Sequence, residues 1–139
     1  PSRRLLELAA ADPALQLTGQ VDDVRPHVWS AAVSVVPLLS GSGTRLKILE
    51  AFAMGSPVVS TSIGIEGIPA RSGEQALVAD DPKAFASATV GLLADRALAA
   101  RVAAAGRRLA EANFGWQAVH RHLLAGYRAL EPRGNGRRE

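Results

Sequence analysis

A chain of 139 residues, 47% of them apolar and 21% charged, with a formal net charge of +3, suits one domain built around one core of ordinary size. No apolar run approaches the roughly 20 residues that a membrane-spanning helix needs, and zero cysteines exclude a disulfide framework, a thiolate metal site and a cysteine nucleophile while fitting a reducing cytosol. Lys47 and Lys83 are the two lysines among 16 basic residues, so 14 are Arg, scattered among alanines; with 4% aromatic residues the chain lacks the concentrated basic face and stacking rings of a nucleic-acid binder.

The chain opens at Pro1-Ser2-Arg3-Arg4, without an initiator Met and without the continuous apolar region of a secretory signal, so it reads as a piece of a longer protein. Periodicity then predicts a short amphipathic helix over Arg3 to Ala11, a strand over Leu15 to Thr18 ending at Gly19, and a helix over Val24 to Ala31 capped by Asp22 or Asp23. Pro26 falls in the first turn of that helix, where a missing N–H is tolerated. A β-branched strand, Ala32 to Val36, is halted by Pro37 and feeds a loop, Leu38 to Gly43. The next helix, Thr44 to Met54, has its apolar stripe at Leu46, Leu49 and Ala53, widened by Ile48 and Phe52, and Gly55 supplies its stop.

Pro57 to Thr61 reads as another buried strand, followed by a Gly-rich loop from Ser62 to Gly73 and a strand at Ala76 to Ala79. Asp80 or Asp81 caps a helix from Pro82 to about Ala94, and helices over Leu98 to Ala112 and Trp116 to Leu130 complete the order. The Gly- and Arg-rich tail, Pro132 to Glu139, is expected to be disordered. Apolar strands alternating with helices define an α/β class with a parallel sheet covered on both faces.

The segment Gly41 to Thr61, G-S-G-T-R-L-K-I-L-E-A-F-A-M-G-S-P-V-V-S-T, joins strand end, glycine loop, helix and strand in one unit. Ligands of open α/β sheets bind beyond the carboxyl ends of the strands, where this loop lies. Gly41 and Gly43 allow backbone N–H groups to approach a phosphate, and a helix beginning near Thr44 offers unpaired donors at its positive dipole end. A strand, a GxG loop and a helix also occur where the turn merely reverses the chain, so the residues beyond the glycines carry more weight. Glu50 lies two turns into the helix on the face shared with Lys47 and Met54, away from the expected core stripe. Such a carboxylate is either an exposed partner of Lys47 or an acceptor for the two ribose hydroxyls of a nucleotide.

The run G-x-G-T-R-x-K-x-x-E-A-x-A-x-G-x-P-V-V resembles the signature segment of the family 4 glycosyltransferases, in the subgroup whose helix begins Gly-Thr-Arg. Leu17-Thr18-Gly19 with a following Asp, Val35-Val36-Pro37-Leu38, and Phe114-Gly115-Trp116 before a last helix ending in Tyr127 follow the same order, so Pro1 to Leu130 can be laid on the pattern. The resemblance implies a Rossmann-like domain, in part the C-terminal, donor-binding half of a GT-B fold. It implies that Glu50 is the second Glu of the E-x7-E motif and binds the nucleotide ribose, and that the amides of Gly43 and Thr44 hold the donor diphosphate. The first Glu falls at Ser42, which replaces the carboxylate that touches donor-sugar hydroxyls with a group able to give or accept a hydrogen bond. Arg45 and Lys47 are candidates for the diphosphate by charge, although Arg45 can pair with a neighbouring carboxylate and Lys47 with Glu50. The family's own diphosphate-gripping Arg and Lys come from an earlier strand and helix that this chain lacks.

The function so implied is donor binding in a retaining, metal-independent glycosyltransferase of polysaccharide or other glycoconjugate assembly, its donor a UDP- or GDP-sugar and no further cofactor needed. The acceptor domain would be the missing N-terminal part of the same chain, leaving the fragment inactive alone, and many family members act on lipid-linked acceptors at the cytoplasmic face of the membrane. Competing expectations are a sugar-nucleotide epimerase of related architecture and a non-catalytic binding or assembly module, which Ser42 in place of Glu keeps open. In the spatial order 3-2-1-4-5-6 of such sheets, the two central strands would be absent. Leu15 to Thr18 is then expected to pair directly with Ala32 to Val36, or the sheet to be completed by another chain, and the last helix to expose apolar surface. Elsewhere, His27, His120 and His122 are too far apart, or diverge at i,i+2, to form a metal site. Glu66, in Ile63-Gly64-Ile65-Glu66-Gly67, either approaches the donor or is a plain loop residue, and Phe114 and Trp116 are expected to pack the final helices.

Overall fold

The computed structural model describes residues 2–41 and 43–130. The chain order is α1 (Arg3–Ala11), α2 (Arg25–Ser30), β1 (Ser34–Val36), α3 (Leu46–Ala53), β2 (Val58–Ser60), α4 (Ser62–Ile65), β3 (Leu77–Val78), α5 (Pro82–Ala94), α6 (Arg96–Phe114) and α7 (Trp116–Leu130). The three strands form one parallel sheet in the order β1-β2-β3, with Val35 opposite Val59 and Val59 opposite Leu77. The expected tail, 132–139, lies outside the described residues. No helix among the described residues is long and apolar enough to cross a membrane.

The pleat of the central strand β2 divides the core, because successive side chains point to opposite faces. Val58 joins Val36, Ile48, Phe52, Ile65 and Ala110 on one face, under α3, α4 and the end of α6. Val59 joins Leu92 and Val102 on the other, under α5 and the start of α6. This is the α/β arrangement, with helices on both faces, that the alternation of elements predicts. Helix α6 approaches α3 closely because position 106 is glycine: a Cβ there would stand 2.6 Å from Phe52 Cδ1. Two aspartates start the helices after β3, Asp81 accepting from the Ala84 N–H and Asp95 from the Leu98 N–H, each at 2.9 Å.

Several expectations are corrected. Residues 15–18 form no strand; a strand needs a ladder partner for its backbone groups, and β1 pairs only with β2 among the described residues, leaving its outer edge open. Helices α1 and α2 bury no residue. Val24, not an aspartate, occupies the N-cap position of α2, while Asp23 accepts from the Arg25 backbone N–H at 2.9 Å and from its guanidinium. Those bonds hold the Asp23 carboxyl below the ordinary carboxylate range.

Helix α3 begins at Leu46, two residues later than expected, and its core face is Ile48, Ala51 and Phe52, with Leu46 and Ala53 exposed. The sheet and α6 select that face, and Leu46 on the first turn overhangs the loop end. The Gly-rich stretch after β2 contains the one-turn helix α4, capped by Thr61, whose Oγ1 accepts from the Gly64 N–H at 2.9 Å. Trp116 is 85% exposed rather than packed, and α7 leaves Leu123, Leu124, Tyr127 and Leu130 at the surface, the apolar face expected of the last helix.

Candidate functional site

The carboxyl ends of β1 and β2 are bound to one another by short polar links. Thr61 Oγ1 donates to the Leu38 carbonyl, and Ser60 Oγ donates to the Val36 carbonyl at 3.4 Å. Gly64 lies against the same ends: a Cβ at that position would come within 2.9 Å of the Val36 carbonyl oxygen. Beyond Leu38 the chain turns through Gly41 and Gly43, with φ of 140° and 91°, backbone that a side chain would strain. It then enters α3 through Thr44 and Arg45.

Helix α3 has no side-chain cap. The Leu46 N–H is bonded to the Thr44 carbonyl at 2.9 Å, and those of Ile48 and Leu49 to the Arg45 carbonyl at 3.0 and 3.3 Å. The N–H groups of Gly43 and Thr44 bond to no other described residue. Free amides beside a helix N-terminus favour an anion through both hydrogen bonding and the dipole.

Three adjoining hollows surround this point. One of about 360 Å3 is lined by Gly43, Thr44, Arg45, Leu49, Glu66, Gly67, Ile68 and Phe114. A second, about 250 Å3, lies between Val36, Leu38, Thr44, Arg45, Lys47 and Gly64. The third is a groove of about 440 Å3 along the open edge of β1, where Lys47, Glu50 and Met54 of α3 face Val24, His27 and Val28. Thr44 and Arg45 line the first two and Lys47 the last two, so the three form a continuous concave surface of the size that binds small ligands.

The sequence-predicted residues separate into two groups. Gly43, Thr44, Lys47 and Glu50 line this surface and are exposed; among the described residues no ion pair joins Lys47 to Glu50, whose carboxylate is open to the groove. Arg45 is turned inward. Its side chain is 6% exposed, and Nη2 donates to the Gly41 carbonyl and to Glu66 Oε2, both at 3.2 Å, which is the neighbouring-carboxylate alternative of the sequence. Its Nε is buried without a partner among the described residues. Ser42 lies outside the described residues. Sequence reasoning missed Phe114 and His27 as lining residues, since both come from elements remote in sequence and nothing local marks them.

A parallel sheet with a glycine loop at the carboxyl end of β1, and Glu50 exposed one turn into α3, define an open α/β domain, a class whose ligands lie beyond the strand ends. The sequence model of the group 1 glycosyl transferases matches residues 1–95, and the chain belongs to that family. It is 33% identical over 130 residues to the D-inositol 3-phosphate glycosyltransferase of Rhodococcus opacus (strain B4), covering 89% of this chain and 29% of that one. It is 30% identical over 125 residues to the phosphatidyl-myo-inositol mannosyltransferase of Mycobacterium leprae (strain TN), covering 87% and 33%. Among solved structures, the sucrose-phosphate synthase of Thermosynechococcus elongatus superposes with a TM-score of 0.78 at 29% identity over 92% of this chain and 34% of its own. The chain therefore spans about a third of the length of the relatives it matches.

Proposed function

We propose that this chain is the donor-binding part of a nucleotide-sugar-dependent, retaining and metal-independent glycosyltransferase, whose acceptor is bound by a further domain. The observation that carries the reading is the placement of Glu50: exposed on α3, beside Lys47, in a groove continuous with the free amides of Gly43 and Thr44. A nucleoside diphosphate laid along that path would have its ribose hydroxyls at the Glu50 carboxylate and its phosphates at the N-terminus of α3. As the bond from the sugar to the diphosphate breaks, negative charge grows on the leaving phosphate oxygen. The amides, the helix dipole and the Lys47 ammonium would stabilise that charge without reorganising. Transfer would also require an acceptor held against the donor, which this reading gives to the further domain, so the chain alone is expected to bind donor without transferring sugar.

Calorimetric titration with UDP, GDP and ADP tests the reading. One nucleotide binds the chain, and Glu50→Ala weakens it about 10- to 100-fold, the loss of hydrogen bonds to a charged acceptor. Glu50 is exposed, so the variant keeps its thermal stability. Binding of no nucleotide, or equal binding by the variant, defeats the proposal and favours the non-catalytic module that Ser42 in place of Glu allows.

A further inference from the structure

Arg45 presents a cost that packing does not explain. A guanidinium 6% exposed, with a buried Nε that no group among the described residues accepts from, is an expensive way to fill the space below a loop, and buried charges of this kind are weak evidence for stability. What the guanidinium does have is one nitrogen, Nη2, that donates to two acceptors on different segments. Nη2 lies 3.2 Å from the Gly41 carbonyl, in the loop after β1, and 3.2 Å from Glu66 Oε2, in the turn after α4. Gly43 and Thr44 of the first segment and Glu66 and Gly67 of the second line one hollow.

We propose that Arg45 and Glu66 are a positioning pair: the buried guanidinium fixes the Gly41 carbonyl, Glu66 fixes the guanidinium, and together they hold the free amides of Gly43 and Thr44 toward the hollow. Arg45 itself does not touch the ligand. The two N–H groups of Nη2 are fixed in the plane of the guanidinium, whereas those of an ammonium rotate on a flexible stem, so Arg sets the directions of both bonds. The carboxylate end is solvent-exposed, Glu66 being 72% exposed, so the pair contributes little to global stability and acts through the shape of the loop. That the shaped loop receives a diphosphate rests on the function proposed above; that the pair shapes it does not.

The decisive variant is Glu66→Ala, which removes an exposed side chain and leaves the core untouched. In the free protein, the backbone N–H order parameters of Gly41, Gly43 and Thr44 are expected to fall from the rigid range, about 0.85, to below about 0.6, while those of β2 and the middle of α6 stay in the rigid range. The affinity for whichever of UDP, GDP and ADP binds the wild-type chain falls roughly tenfold. The affinity for the corresponding monophosphate changes far less, since a loss of general structure would weaken both alike. Glu66→Gln, which keeps an acceptor oxygen, restores part of the loss, and Arg45→Lys does not. Unchanged order parameters at Gly41, Gly43 and Thr44 in Glu66→Ala overturn the proposal. So does equal weakening of diphosphate and monophosphate. If no nucleotide binds the wild type, the donor-site reading fails, and the order parameters still decide whether the pair holds the loop.

Discussion

Gly106 and Phe52 share one volume: a Cβ built on Gly106 would lie 2.6 and 2.9 Å from Cδ1 and Cε1 of the Phe52 ring, and 3.1 Å from the Gln75 carbonyl oxygen. Helix α6 thus crosses α3 at a distance that only a residue without a side chain permits. Phe52 is fully buried and has little freedom to retreat. Gly106→Ala is therefore expected to lower the unfolding free energy by about 1–3 kcal/mol, the cost of overpacking, despite the better helix propensity of alanine. Urea denaturation of the single variant and of Gly106→Ala with Phe52→Leu provides the check: the smaller side chain should recover part of the loss, a coupling between touching residues. Because α3 carries Lys47 and Glu50, the same strain should weaken nucleotide affinity.

Thr61 joins the two loops that the strands present at the site. Its hydroxyl donates to the Leu38 carbonyl and accepts from the Gly64 N–H, so one oxygen serves the loop after β1 and the cap of α4 together. Thr61→Val keeps the shape and removes both bonds, leaving a buried N–H and a carbonyl unpaired. The expected loss of stability is about 1–3 kcal/mol, and Thr61→Ser should recover most of it. Denaturant midpoints for the three proteins test this, and a Val variant as stable as the wild type would remove Thr61 from the account.

Gly43 and Gly73 have nearly the same backbone, φ of 91° and 85°, and open space where a Cβ would go. Alanine at either should therefore cost about 1–2 kcal/mol through backbone strain alone. They differ in place, since Gly43 lines the hollow at the start of α3 and Gly73 lines none of the three. Gly43→Ala is expected to weaken nucleotide binding beyond its effect on stability, and Gly73→Ala to leave the affinity unchanged. Paired calorimetry and denaturation on the two variants separate loop shape from general strain.

Much of this protein is written locally. Pro37, Gly55 and Pro57 punctuate the chain where β1 ends, α3 stops and β2 begins. Asp81 caps α5 as its position before Pro82 suggests, and the first α7 residue is Trp116 as periodicity predicts. The exposure of Glu50 was legible too, because it sits on the polar flank of α3 with Lys47 whichever apolar residues face the core. These features depend on backbone conformations and helix periods, which neighbouring residues set.

Other features depended on partners far along the chain. Leu15 to Thr18 has strand composition, but among the described residues it bonds to no other strand, and the expected pairing with the open edge of β1 is not made. The rotation of α3 that buries Ile48, Ala51 and Phe52 instead of Leu46 and Ala53 was settled by α6, whose Gly106 admits the Phe52 ring. Arg45 reads as a cation for a phosphate until Glu66, 21 residues on, is brought beside it by the return of the chain through β2. Apart from the strand expected over Leu15 to Thr18 and the one-turn α4, the sequence by itself determined the order of the elements, the family and the exposed Glu50, all of which follow from short-range periodicity and motif. Only the tertiary structure decided which cation is free to meet a ligand and which is buried as a brace, because that depends on the contacts each side chain finds across the sheet.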